Sequence, residues 1–262
     1  MSTVLTFREL PYAKESLATV LSTTGSTTGS TTGTIGDNGV VVTDATLFYP
    51  HGGGQPGDQG VFITADGRTL KVLDTRKGDD GEVHHLLDPN HGLEPGQSVT
   101  QQIDWQRRHA HMRMHTALHL LSVIVPHGVT GGSIGADRGR LDFDLGEASF
   151  DKDELSERLN RLIADDYPVT SEWISEAELD AHPELVKTMS VAPPRGAGEI
   201  RMVRIGDIDY QPCGGTHVAS TAEIGAVQVA SIKNRGARNR RFTLTWAASD
   251  MPNPGGNAGG GQ

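Results

Sequence analysis

The chain holds one cysteine, Cys213, in 262 residues, which excludes an internal disulfide framework and fits a reducing compartment. It has no run of 18 apolar residues, so no segment reads as a membrane-spanning helix. Positive charge is not in excess either: 23 Lys and Arg stand against 33 Asp and Glu, a net charge of −10. No global field therefore draws the chain toward nucleic acid or anionic lipid, and a nucleic-acid site has to be a local patch. The opening MSTVLTFRELPYAKES lacks the charged-then-apolar order of a secretory signal and carries acidic residues that a transit peptide avoids. The expected location is cytoplasmic, with no membrane association.

The length suits one large domain or two smaller ones, with room for a core that needs no covalent staples. Glycine (33) and proline (13) are plentiful, which points to many turns rather than a helical bundle. A Ser-Thr-Thr-Gly unit starts at Ser22, Ser26 and Ser30; so short a polar period buries nothing, and residues 22–36 read as a flexible insert. The glycine-rich residues 249–262 read as a disordered tail.

Between insert and tail the pattern changes once. Short β-type runs, GVVVTD from Gly39, GVFITA from Gly60 and TLKVLD from Thr69, sit between Gly, Asp and Pro turns and predict a small antiparallel sheet or barrel. Helical spacing follows over Trp105–Val125. It returns over Asp153–Ala164, with Leu155, Leu159 and Leu162 on one face. A third helix is expected from Glu176 to Thr188, stopping near Pro193-Pro194. Strands are expected at Ile200–Val203, Ala226–Ile232 and Arg241–Trp246. The fold class is thus α+β: an N-terminal β-barrel-like domain over residues 1–98, then an α+β domain over 99–248 with helices on an antiparallel sheet.

Two histidine-bearing motifs carry the chemistry. In MHTALHLL (114–121) His115 and His119 are four apart, so on a helix both imidazoles leave one face a turn apart. Leu118, Leu120 and Leu121 would supply its buried side. In QPCGGTH (211–217) Cys213 stands four before His217, and the two intervening glycines allow the tight backbone that turns both side chains toward one ion. Three nitrogens and one sulfur suit zinc, one per chain. A zinc protease would need glutamate after the first histidine; Thr116 stands there. His109, His111, His84 and His85 read as surface or packing residues.

MHTALHLL together with QPCGGTH resembles the editing domain of alanyl-tRNA synthetases and its free-standing relatives, the AlaX proteins. The threonyl-tRNA synthetase editing module shares the HxxxH…CxxxH layout, but the Cys-Gly-Gly-Thr-His wording is that of the alanyl branch. TLFYPHGGGQPGDQG (46–60) is similar to the glycine-rich strand-turn of the preceding β domain, and SIKNRGARNRR (231–241) to the basic strand-turn-strand after the second half-site. The similarity runs in order from about residue 36 to 247. No adenylation motif, anticodon reader or oligomerisation domain is seen, so a free-standing protein of the medium-length type is expected.

The resemblance implies hydrolysis of the ester in alanine tRNA mischarged with serine, or with glycine, and a tRNA(Ala) partner. It carries over His115, His119, Cys213 and His217 as zinc ligands, Gln55 as the glutamine of the Gly-Gly-Gln turn, and Thr46 as a hydroxyl near the amino-acid pocket that could read the seryl hydroxyl. His51 receives no role. Such an ester needs no covalent nucleophile, only positioned water, polarisation and oxyanion stabilisation. Four protein ligands close a tetrahedral site, which favours substrate anchoring over attack by a zinc hydroxide. Lys233, Arg235, Arg238, Arg240 and Arg241 lie in an acid-free run expected to contact tRNA phosphates; Arg107 and Arg108 are weaker candidates. Two alternatives stay open: a non-catalytic, zinc-stabilised tRNA-binding module and a threonyl-type aminoacyl-ester hydrolase.

Overall fold

A computed structural model describes residues 2–24, 38–188 and 198–247 of the chain. These form two compact units, one of residues up to 112 with 214–217, the other of residues 113–213 and 218 onward. Among the described residues no helix is long and apolar enough to cross a membrane.

The first unit is built by β1 (Val4–Leu5), β2 (Glu15–Thr24), β3 (Gly39–Thr43), β4 (Ala45–Thr46), β5 (Gly60–Thr64), β6 (Thr69–Val72), β7 (Asp74–Lys77), β8 (Val83–Leu87) and β9 (Ser98–Ile103). Seven of them make one antiparallel sheet in the order β6-β5-β9-β2-β3-β8-β7. The sheet curls into a nearly closed barrel: its two end strands are consecutive in sequence, and Leu73, between them, donates its N–H to Leu86 O at 2.7 Å. Val20, Val41, Leu47, Phe48, Phe62, Val72, Leu87 and Val99 fill the interior. β1 pairs in parallel with β4.

One expectation shifts here. Ser22–Thr24, read as the start of a flexible insert, end β2 and pair with β3, Thr24 opposite Val40. Serine and threonine tolerate a strand once a valine-rich neighbour supplies the burial. The remainder of the insert and the tail lie outside the described residues. β9, which buries Val99, Gln101 and Ile103 on one face, pairs with β5 and β2 and completes the barrel.

The second unit contains most of α1 (Trp105–Ile124), then β10 (Val129–Ile134), β11 (Arg138–Asp144), α2 (Lys152–Ala164), β12 (Val169–Ser175), α3 (Glu176–Ala181), β13 (Glu199–Ile205), β14 (Asp209–Pro212), β15 (Val227–Asn234) and β16 (Asn239–Trp246). They give two antiparallel sheets, β10-β11-β16-β15 and β12-β13-β14. α2 starts at Asp151, whose side chain accepts the N–H groups of Asp153 and Glu154, a capping bond typically worth ~1 kcal/mol. It buries Leu155, Leu159 and Ile163, while Leu162 is half-buried. α2 lies along β15, where Ser156 Oγ and Asn160 Oδ1 accept strand N–H groups.

α3 is shorter than expected. It runs to Ala181, followed by a single 3₁₀ turn at Pro183–Leu185. Pro183 has no N–H and pushes His182 out of helical backbone (φ −129°, ψ 63°). Pro193-Pro194, the expected stop, lies outside the described residues.

Candidate metal centre

α1 begins where Asp104 Oδ1 accepts the N–H of Arg107 at 3.0 Å, an N-cap bond, and it ends before Pro126, which cannot continue a helix. Met114, Ala117, Leu118, Leu120 and Leu121 are buried, and so are the polar His111, His115, Thr116, His119 and Ser122. A helix buried on nearly every side needs a purpose for its polar residues. Close packing reinforces this: a Cβ on Gly139 of β11 would come within 2.7 Å of Met114 Cγ and 3.0 Å of Leu118 Cδ1, so glycine lets the strand lie against the helix.

His115 and His119 project from successive turns with ring centroids 5.2 Å apart. Cys213 follows β14 directly and is held to β13 by reciprocal bonds: its N–H donates to Arg201 O at 3.1 Å, and Arg201 Nη1 donates to its carbonyl at 2.9 Å. Cys213 Sγ lies 3.5 Å from His115 Nε2. With His217, the four side chains offer one donor atom each, all within 4.8 Å of one another. Tetrahedral zinc bound by N and S has donor–donor edges of roughly 3.3–3.8 Å, so a small inward movement of the widest pair closes the set. Three imidazoles and a thiolate fit a zinc-type ion in both chemistry and spacing.

Charge is organised around His119. Its Nδ1 lies 3.0 Å from Asp209 Oδ2. Asp209, also buried, accepts Gln211 Nε2 at 2.8 Å and Lys187 Nζ at 2.5 Å. Burial opposes an imidazolium here, but the bond to Asp209 and the neighbouring Cys213 outweigh it and hold His119 up at about 9. Burial likewise pushes Asp209 upward, and His119 with Lys187 overcome it, leaving the carboxyl at about 2. The site thus favours a cation, whether a shared proton or a metal ion. Asp209, Lys187 and Thr216 were not singled out from the sequence. Asp209 and Gln211 could have been, since alternate residues of a strand share a face.

Gln55 sits at the end of a tight turn. Gly52 and Gln55 exchange backbone bonds at 3.1 and 2.9 Å, and Gly53 and Gly54 have φ of 57° and 81°. These are the positive values that a two-residue I′ turn requires and glycine meets without strain. The turn aims the Gln55 side chain at the Cys-Gly-Gly-Thr-His loop. Gln55 Nε2 donates to Thr216 Oγ1 at 2.8 Å, and Thr216 N–H donates to Gln55 Oε1 at 3.1 Å, both residues being buried. Thr116, where a protease would carry glutamate, is buried and accepts the N–H of Val218 at 3.3 Å.

Thr46 is fully buried in the barrel. His85 Nδ1 faces Val41 O at 2.9 Å, so its Nε2 accepts the Thr46 hydroxyl at 2.8 Å; Thr46 Oγ1 also accepts Phe48 N–H at 3.0 Å. Arg108 is buried too, against Asp58 and the Leu47 carbonyl, which removes it as a phosphate-contact candidate. His109 stacks on Trp105 with an interplanar angle of 18°. Of the basic run, Lys233, Arg235 and Arg238 are exposed and Arg240 and Arg241 half-buried. Arg241 forms a two-pronged pair with Asp142, at 2.7 Å in both bonds, and Arg238 pairs with Asp144 at 2.9 Å. Lys233, Arg235 and Arg240 have no ion pair among the described residues.

Comparison with known proteins places these features in a lineage. Residues 200–243 match the family model described as the threonyl and alanyl tRNA synthetase second additional domain, and residues 2–107 match that of class II (A) tRNA synthetases. The chain is 37% identical to the alanyl-tRNA editing protein AlaX-M of Methanosarcina barkeri over 80% of this chain and 89% of that protein. It is 34% identical to AlaX-M of Methanosarcina acetivorans with the same coverage of each. It is also 38% identical to the alanine–tRNA ligase of Methanothrix thermoacetophila, over 73% of this chain but 21% of the ligase. With a barrel, an editing-type α+β unit and near full-length identity to AlaX-M proteins, the chain belongs to the AlaX-M family of alanyl-tRNA editing proteins.

Proposed function

We propose that this protein hydrolyses the aminoacyl ester of alanine tRNA mischarged with serine, with the glycyl form a second substrate, and that it does so with one zinc ion held by His115, His119, Cys213 and His217. The observation that carries the reading is the clustering of those four side chains within 4.8 Å, beside a glutamine that grips the loop bearing two of them. Bound zinc would supply positive charge to hold the substrate or polarise the reacting groups.

The chain's own residues do the rest. Gln55 and Thr216 would keep the loop backbone in place, so that backbone N–H groups there could position the ester and its developing negative charge. The buried walls of α1 limit water to what the substrate admits. Thr46 is proposed to distinguish serine. Its hydroxyl already serves His85 and Phe48, so the seryl hydroxyl would use its remaining lone pair, and a site built for that bond disfavours an amino acid lacking it. Lys233, Arg235, Arg238, Arg240 and Arg241 are proposed to meet phosphates of the tRNA. The Asp142 and Asp144 pairings of Arg241 and Arg238 leave Lys233, Arg235 and Arg240 as the stronger contributors.

The test is deacylation of seryl-, glycyl-, threonyl- and alanyl-tRNA by the wild type and by Cys213→Ala. Fast release of serine, sparing of alanine and loss of activity in the variant are expected. Absence of deacylation on every substrate would leave a binding module instead. Thr46→Val is expected to shift the seryl-to-glycyl ratio, and an unchanged ratio removes Thr46 from the pocket.

A further inference from the structure

We infer that Asp209 is a positioning residue for the metal centre, fixing His119 as the tautomer that carries its proton on Nδ1 and offers Nε2 to the ion. The inference rests on the metal reading given above and adds to it a residue outside the four-ligand set.

The geometry is that of a saturated carboxylate. Asp209 Oδ2 faces His119 Nδ1 at 3.0 Å and accepts Gln211 Nε2 at 2.8 Å, while Oδ1 accepts Lys187 Nζ at 2.5 Å. Its side chain has no exposed surface. Gln211 Nε2 also lies 3.1 Å from His119 Nδ1, but its two protons serve Asp209 Oδ2 and Ser122 Oγ. A carboxylate that takes donors on both oxygens accepts from the ring as well, so the proton in that contact sits on Nδ1 and Nε2 is the nitrogen left for the ion. With both oxygens occupied, Asp209 does not compete to ligate the ion. Lys187 balances the charge of a carboxylate that burial would otherwise penalise.

The helix backbone that carries the ring is tied into the same network. Ser122 Oγ donates to His119 O at 2.7 Å, and Gln211 Nε2 reaches Ser122 Oγ at 3.3 Å, so β14 and α1 are joined through one polar network. A partner that fixes ring orientation and raises the basicity of the ligating nitrogen typically changes metal affinity by about 10–100-fold.

Two measurements on the full chain test this. Zinc affinity is measured by competition with a chromophoric chelator for the wild type and Asp209→Asn, alongside the visible spectrum of each protein loaded with cobalt. Asp209→Asn is expected to bind zinc about 10–100-fold more weakly while keeping a tetrahedral cobalt spectrum with one thiolate. Long-range ¹H–¹⁵N spectra of the zinc-loaded wild type are expected to show the His119 proton on Nδ1; this measurement decides the matter if the variant does not fold. Wild-type affinity in a folded Asp209→Asn, or a proton on Nε2, overturns the inference while leaving the metal reading intact. A wild type that binds no zinc overturns both.

Discussion

Replacing Gln55 with alanine removes the two hydrogen bonds that tie the Gly-Gly-Gln turn to Thr216, at 2.8 and 3.1 Å. Both residues are buried, so water does not readily take over the lost bonds. Stranding a buried neutral donor or acceptor costs about 1–3 kcal/mol, so the pair is worth roughly 2–6 kcal/mol to the loop before relaxation. Because 1.4 kcal/mol is a factor of ten, even the lower figure cuts the population of the held loop by about 30-fold. Thr216 adjoins His217, so the loss is expected in both zinc affinity and kcat/KM for seryl-tRNA(Ala). The assay pairs chelator competition with single-turnover deacylation on Gln55→Ala and on Gln55→Met, which preserves side-chain volume without the amide. Similar losses of at least about tenfold in both variants identify the hydrogen bonds as the cause. Near wild-type affinity and rate in Gln55→Met would refute the reasoning.

Other consequences follow from the same geometry. Burial holds His85 down at about 4 against an ordinary 6.5, so the unfolded chain takes up the proton first. The stability this gives is complete above pH 6.5 and is lost as pH falls toward 4, up to about 3 kcal/mol. Denaturant titrations at pH 7, 6 and 5 should show that slope, and His85→Gln should flatten it; equal slopes would count against a neutral buried His85. Arg108→Met leaves Asp58 as a lone buried charge and is expected to destabilise by about 3–5 kcal/mol, whereas Arg108→Met with Asp58→Leu should recover much of that loss; equal destabilisation in both proteins would deny the pairing its role. Charge reversal at Arg235 and Arg240 should weaken binding of every tRNA and lower the magnitude of the salt slope by about 1–2; an unchanged slope would place the interface elsewhere.

Much of this was legible in the chain. The HxxxH and CxxxH spacings identified the four clustered side chains because a helix repeat and a glycine-bent loop each limit where a side chain points. The apolar runs at Gly39 and Gly60 gave barrel strands for the same reason. What escaped depends on partners distant in sequence. Ser22–Thr24 end a strand because Val40–Val42 pair with them, although their own composition reads as a flexible insert. Arg108 looked like a helix-start cation, and only the fold supplies Asp58, fifty residues earlier, to neutralise it. Asp209 is an ordinary strand-end acid until His119 and Lys187 converge on it. The early stop of α3 was available locally, since Pro183 marks it.

The central claim is that one transition-metal ion belongs to this protein. Elemental analysis of purified protein after zinc loading and exhaustive dialysis, with Cys213→Ala and His119→Ala in parallel, tests it most directly. The account predicts one zinc per wild-type chain and substoichiometric metal in each variant. A wild type that retains none, or a Cys213→Ala variant that retains a full equivalent with unchanged affinity, would contradict it.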